Sequence, residues 1–161
     1  MNIIAVADEN WGIGNRGDLL IRIPLEEKTF RQEIRGKVIV YGRNTLALLP
    51  QGLPLEGSKN MILSRDRNYQ VKNAQVVNSI EQLLQELAGY DSQDVYIVGG
   101  ESIFAQLLPY CDTAHITRIE RAYEANAFLP DLDQMPEWKL VEESEEQTYF
   151  DTVYYFVKYR K

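Results

Sequence analysis

One cysteine and one histidine stand among 161 residues, and each scarcity removes a class of chemistry. Cys111 alone cannot close an internal disulfide, which suits a reducing cytoplasm, and a small residue there fits a junction between helix and strand. With His115 as its only companion it forms no ligand set, so no metal is expected. No run approaches the roughly 20 apolar residues of a membrane span. The N-terminus enters an apolar strand without a basic leader, so no secretory signal is expected. Positive charge is also short: 17 Lys and Arg against 24 Asp and Glu leave a net charge of −7. That balance argues against nucleic acid, which is bound by neutralising phosphates, and no polybasic run offers itself to an acidic membrane. The acids gather late, at Glu142, Glu143, Glu145 and Glu146, where a solvated sheet face accounts for them. No repeat, linker or low-complexity tract is visible, and no seam of exposed apolar residues argues against a monomer.

What is present reads as one globular domain over residues 1–161, with 45% hydrophobic and 25% charged residues. Periodicity and breakers predict strands near 2–8, 37–42, 59–64, 74–77, 94–99 and 112–119. Helices are predicted near 25–35, 44–49, 79–88 and 101–108. The runs Val38-Ile-Val, Met61-Ile-Leu and Val95-Tyr-Ile-Val are short and continuously apolar, as in a sheet covered on both faces. Trp138-Lys-Leu-Val-Glu and Thr152-Val-Tyr-Tyr-Phe-Val-Lys-Tyr read as two long strands of a hairpin or edge pair. The fold class is therefore α/β: a mixed, mostly parallel sheet of about eight strands with an antiparallel edge and four helices.

The stretch from Trp11 to Glu27 carries the most chemistry. Gly12, Gly14 and Gly17 among polar residues predict a mobile loop, and Pro24 supplies the fixed φ of a first helical turn. On the helix that follows, Ile23, Glu26, Phe30 and Ile34 fall three and four apart, which sets Glu26 on the apolar face. Glu27 points elsewhere and can pair with Arg31 one turn on; a register error of one residue would exchange the two acids. Three strand ends suit anions. They are Gly42-Arg43-Asn44-Thr45, Ser64-Arg65, and Gly99-Gly100 opening a helix at Glu101. Singly each is ordinary turn chemistry. Two arginines at adjacent strand ends of an acidic chain point instead to bidentate phosphate recognition.

The order of strand, Trp-Gly-Ile-Gly loop, and the Pro24, Glu26, Phe30 helix resembles the dihydrofolate reductase family. Lys37-Val-Ile-Val-Tyr-Gly-Arg-Asn-Thr45, Lys59-Asn-Met-Ile-Leu-Ser-Arg65 and Asp94-Val-Tyr-Ile-Val-Gly-Gly-Glu-Ser-Ile-Phe104 continue the likeness along the chain. Thr117 and Phe128-Leu-Pro130 complete it. The resemblance implies hydride transfer from NADPH to pterin C6 of 7,8-dihydrofolate, with a proton delivered to N5. It makes Glu26 the acid that holds the pterin's N3 and 2-amino group, assisted by the Thr117 hydroxyl, with Leu19 and Ile21 in the closing lid. The backbone carbonyls of Ile4 and Val98 would border the reactive edge, and Val6, Phe30, Leu49 and Leu55 would be the apolar walls. Glu27 is the fallback acid, and Ser58 falls where the folate tail is held. Cofactor contacts would come from Ala7, Ile13 and Gly14, from Gly42, Arg43, Asn44 and Thr45, and from Leu63, Ser64 and Arg65. The turn Val98, Gly99, Gly100, Glu101, Ser102, Ile103 and Phe104 would supply the rest, with a cis peptide at Gly99-Gly100. Arg43, Thr45, Ser64 and Arg65 would surround the adenosine 2′-phosphate.

Five features depart from the family pattern. Leu19-Leu20-Ile21 stands for Leu-Pro-Trp, Glu26 for the Asp of many bacterial members, and Glu27 for an apolar residue. Asn126 stands for an acid that braces the lid. Ser58 replaces the arginine that clamps the α-carboxylate of the folate tail, which should weaken tail binding by roughly 1.5–3 kcal/mol, with Lys59 as a poorer substitute. Ser58 keeps a related reading open, a same-fold reductase of another pteridine or of a riboflavin-pathway pyrimidine. A nucleotide- or folate-binding module without turnover is the reading from a different class.

Overall fold

A computed structural model describes residues 1–161. Its main sheet is built on the strands β1 (Asn2–Ala7), β3 (Val38–Gly42), β4 (Lys59–Leu63), β5 (Gln75–Val77), β6 (Val95–Gly99) and β7 (Thr113–Ile119). It is completed by β9 (Lys139–Glu143), β10 (Gln147–Tyr149) and β11 (Thr152–Arg160). The order is β10-β11-β7-β1-β6-β3-β4-β5, with β9 also paired to β11. From β7 to β5 every pairing is parallel; β11 joins β7 antiparallel, and β9 and β10 join β11 the same way. A separate two-stranded ribbon pairs β2 (Gly12–Gly14) with β8 (Ala127–Phe128).

The central strands are buried on both faces because alternate side chains enter different cores. Val38 and Val40 join a cluster with Ile3, Val95, Ile97 and Leu107, whereas Ile39 and Tyr41 join Ile4, Ile62 and Tyr96. Each large side chain so buried contributes about 1.5–3 kcal/mol. The helices α1 (Pro24–Ile34), α2 (Arg43–Leu46), α3 (Ile80–Leu87) and α4 (Glu101–Leu107) connect the strands. α3 is capped by Ser79, whose side chain accepts from Gln82 N at 3.0 Å, while Gln82 Oε1 accepts from Asn78 N at 2.8 Å. Cys111 is buried two residues before β7, and burial pushes its thiol up to about 11.

Two expectations change. The helix predicted near 44–49 is a single turn, because Pro50 breaks the chain soon afterwards. The C-terminal pair is three strands, and β11 lies inside the sheet with β7 on one side and β9 and β10 on the other. The residues just after the acidic stretch, Gln147–Tyr149, form β10, which turns into β11 through Phe150 and Asp151, with Phe150 at φ 53°. Lys139–Glu143 is exposed throughout, so Glu142 and Glu143 stand on a solvated strand, whereas Glu145 and Glu146 lie exposed in the connection that follows it.

Candidate active site

Open α/β sheets offer their ligand crevice beyond the carboxyl ends of parallel strands. Here a cavity of about 840 Å³ lies there, walled by the ends of β1, β3, β4 and β6, by α1 and by the loop before it. Glu26 and Glu27 both face it, with Phe30 one turn farther along α1. Ile23 and Ile34 are buried beneath, so the helical face read from spacing is the one that packs. Burial, with Glu27 adding to it, pushes the Glu26 carboxyl up to about 7. Glu27 does not pair with Arg31: it meets Arg22 at 3.7 Å, from the loop just before the helix. Both arginines line the cavity.

The opposite wall is a close-fitting turn. The Gly99–Gly100 peptide is cis, and Gly99 has φ +143°. A Cβ there would meet Phe104 and the Thr45 hydroxyl, each at 3.5 Å. Gly42 is crowded in the same way, with Ile103 Cγ1 3.3 Å from a built Cβ. Glu101, Ser102 and Ile103 open α4 at the cavity wall, where first-turn N–H groups have no partner within the helix. Along the rim Arg43 stacks over Tyr69 at 4.2 Å and meets Asp66 at 3.6 Å, next to Ser64 and the exposed Arg65. These features fit a dinucleotide phosphate: backbone lies bare where a side chain would obstruct it, and cations stand along the rim.

The loop of residues 10–21 is pinned at several points. Asp8 is buried, and its Oδ1 accepts from Gly12 N at 2.8 Å and Asn10 N at 2.9 Å. Its Oδ2 accepts from Tyr123 N at 2.9 Å. A Cβ on Gly12 would come within 2.8 Å of Ala125 Cβ, so only glycine fits. Trp11 is buried at φ 64°, under the Arg118 guanidinium at 4.0 Å. Asn126, at the position where the family carries an acid, accepts from Arg16 N at 3.1 Å and donates its own N–H to Gly14 O at 3.0 Å. Glu101 accepts from Phe128 N at 2.6 Å, tying α4 to the ribbon that supports the loop.

Of the catalytic, substrate and cofactor residues that the resemblance implies, all but Ala7, Ser58 and Thr117 line this cavity. Ala7 is in the core. Ser58 turns away, donating its hydroxyl to Ile34 O at 2.8 Å at the end of α1. Thr117 is buried behind Glu26, in the wall of a second cavity that Glu26 also borders. Asp8, Arg22, Arg31, Asp66 and Ile119 line the main cavity without having been anticipated. Asp8 carried one signal, an acid at the end of an apolar strand just before the glycine loop.

The sequence model of the dihydrofolate reductase family matches residues 1–161. The chain belongs to the dihydrofolate reductase family. Among curated relatives, dihydrofolate reductase of Neisseria gonorrhoeae is 32% identical over 160 residues, covering 99% of this chain and 96% of the relative. That of Staphylococcus haemolyticus is 29% identical over 141 residues, covering 88% and 82%. A solved structure of dihydrofolate reductase from Enterococcus faecalis, complexed with NADP(H) and RAB-propyl, aligns at a TM-score of 0.85 with 25% identity. The alignment spans 99% of this chain and 94% of that one. No helix is long and apolar enough to cross a membrane.

Proposed function

We infer that the 840 Å³ cavity carries the reaction of the family to which the chain belongs, NADPH-dependent reduction of 7,8-dihydrofolate to 5,6,7,8-tetrahydrofolate. One observation carries the assignment. A carboxyl that holds its proton up to about pH 7 faces, across the cavity, a glycine turn and an arginine rim suited to a dinucleotide. When bound, NADPH supplies the hydride that reduces pterin C6. The residues of the chain bind, orient and exclude water. Glu26 holds the N3 and 2-amino edge of the pterin and carries the proton destined for N5, while Thr117 supports it from behind. Ile4, Val6, Phe30, Leu49, Leu55 and Val98 wall the ring, and Leu19 and Ile21 close over it as the lid. Arg43, Thr45, Ser64 and Arg65 take the 2′-phosphate, which selects NADPH over NADH. The 161 residues act as a single domain and a monomer in the cytoplasm, without a nucleic-acid partner. One free buried cysteine and a net charge of −7 support that setting.

Purified protein should oxidise NADPH with saturation as 7,8-dihydrofolate is raised. Binding of NADPH without its oxidation by dihydrofolate would move the assignment to another pteridine or pyrimidine substrate.

A further inference from the structure

Glu26 borders two cavities. The second, of about 280 Å³, is lined by α1 and by β7 and β11, and shares only Ile4, Glu26 and Phe30 with the main one. Its position follows from two periodicities. Glu26, Thr29 and Glu33 lie three and four apart on one edge of α1. His115 and Thr117 lie two apart on β7, with Lys158 and Phe156 opposite them on β11, so all four side chains share one sheet face. The helix edge and the sheet face meet over Ile4, and Thr29 is too small to fill the gap. Outward, the space ends at Glu142, whose side chain is 71% exposed and lies 3.9 Å from Lys158. The chamber therefore runs from bulk solvent to the back of Glu26, with polar groups along it and room for several water molecules.

We propose that this chamber is the route by which Glu26 exchanges its proton with bulk solvent while substrate and cofactor fill the main cavity. The inference rests on the reductase reading of the site. Each turnover leaves the carboxyl one proton short, since the pterin gains that proton at N5 together with the hydride. The carboxylate must recover one proton from water before it can serve again. In front of it lies the bound ring, and behind it lies the chamber. The imidazole of His115 sits part-way along, with Nε2 3.3 Å from Asn2 Oδ1 and 4.0 Å from Glu33 Oε1. Burial lowers its proton affinity against the pull of Glu33, so near neutral pH it is an uncharged group able to accept and donate. The charged and titratable groups around Glu26 are Glu27 and Arg31 on its own helix, Arg22 before it, and Tyr154 on β11. Through the chamber it also faces Glu33, His115, Glu142 and Lys158.

Plugging the chamber tests the route. Thr29→Phe and Thr29→Leu add apolar bulk at a half-buried helical position that does not line the main cavity. Enzyme preloaded with NADPH is mixed with dihydrofolate in single turnovers between pH 5.5 and 8.5. The unmodified chain should give one exponential whose rate follows the ionisation of Glu26. In the plugged variants, molecules that captured substrate with Glu26 protonated react at the unimpeded rate, and the others wait. Near pH 7, where about half of Glu26 carries its proton, about half of the amplitude should move to a slow phase, and more at higher pH. A single phase with the unmodified pH profile in either folded variant overturns the route while leaving the reductase reading intact. A uniform loss of rate at every pH also overturns it, because that marks a packing effect. Failure of the unmodified chain to turn over dihydrofolate removes the underlying reading instead.

Discussion

One proton on Glu26 bears on stability and, under the proposed function, on catalysis. Below about pH 4.5 folded and unfolded chains both carry it, and above about 7 neither does. Between these limits the folded chain holds a proton that the unfolded chain has lost, so stability falls as pH rises through that window and stays low above it. The displacement from 4.5 to about 7 corresponds to roughly 3 kcal/mol. Glu26→Gln cannot ionise. Urea unfolding should therefore show the variant near the parent at pH 4.5 and more stable by up to about 3 kcal/mol at pH 8. Turnover should move the opposite way: sharply reduced in Glu26→Gln at neutral pH, and in the parent declining as pH rises past about 7. Reduction of turnover by Glu27→Gln alone would reassign the acid, since both side chains face the cavity. Ser58 makes a second case at this scale. Its hydroxyl closes α1 through Ile34 O, so Ser58→Arg should lose about 1 kcal/mol of stability in chemical denaturation. The new guanidinium should lower the Michaelis constant for dihydrofolate and leave that for NADPH unchanged.

The loop over the site depends on one buried carboxylate. Asp8 accepts three backbone N–H groups at 2.8–2.9 Å, two from the loop itself and one from Tyr123 more than a hundred residues away. Asp8→Ala strands those donors and should cost about 3 kcal/mol, read as a lower urea midpoint, with a loss of turnover larger than the loss of NADPH binding. Unchanged turnover would detach the lid from this anchor. Local signals in the chain were enough for much of this element. Glycines flanked by polar residues marked the loop, Pro24 marked the start of α1, and spacing alone set Glu26 on the packed face. Contacts distant in sequence were not legible. Trp11 is buried between Arg118 and Tyr159, from strands more than a hundred residues on, and no local pattern announces that pairing. The same holds for β2 with β8, for Arg22 taking Glu27 from Arg31, and for Ser58 turning to the helix end. Periodicity reports which face of an element is apolar, and it is silent on which partner meets a polar group.

At the scale of the molecule, the parallel half of the sheet and its antiparallel margin do different work. Parallel strands β3, β4 and β6 bring Gly42-Arg43, Ser64-Arg65 and Gly99-Gly100 to one rim, because parallel neighbours present like ends together. The margin β7 and β11 backs Glu26 and floors the second cavity. Ligand binding should therefore tighten elements far apart in sequence and raise the stability of the whole chain. A ligand at 100 times its dissociation constant adds about 2.7 kcal/mol. For a chain of this size that amounts to a rise in Tm of roughly 5–11 °C. NADPH should produce it in a thermal melt, and NADH at equal concentration should produce less, since only NADPH carries the phosphate facing the arginine rim. Arg43 shares its charge with Asp66 and Tyr69, whereas Arg65 is in no ion pair, so of the two arginines proposed for that phosphate Arg65 gives the more direct test. Arg65→Ala should bring the NADPH shift down towards the NADH shift and leave the NADH shift as it was. Equal loss of both shifts would instead place Arg65 on a part common to the two cofactors, and the preference would have to come from Arg43, Thr45 and Ser64.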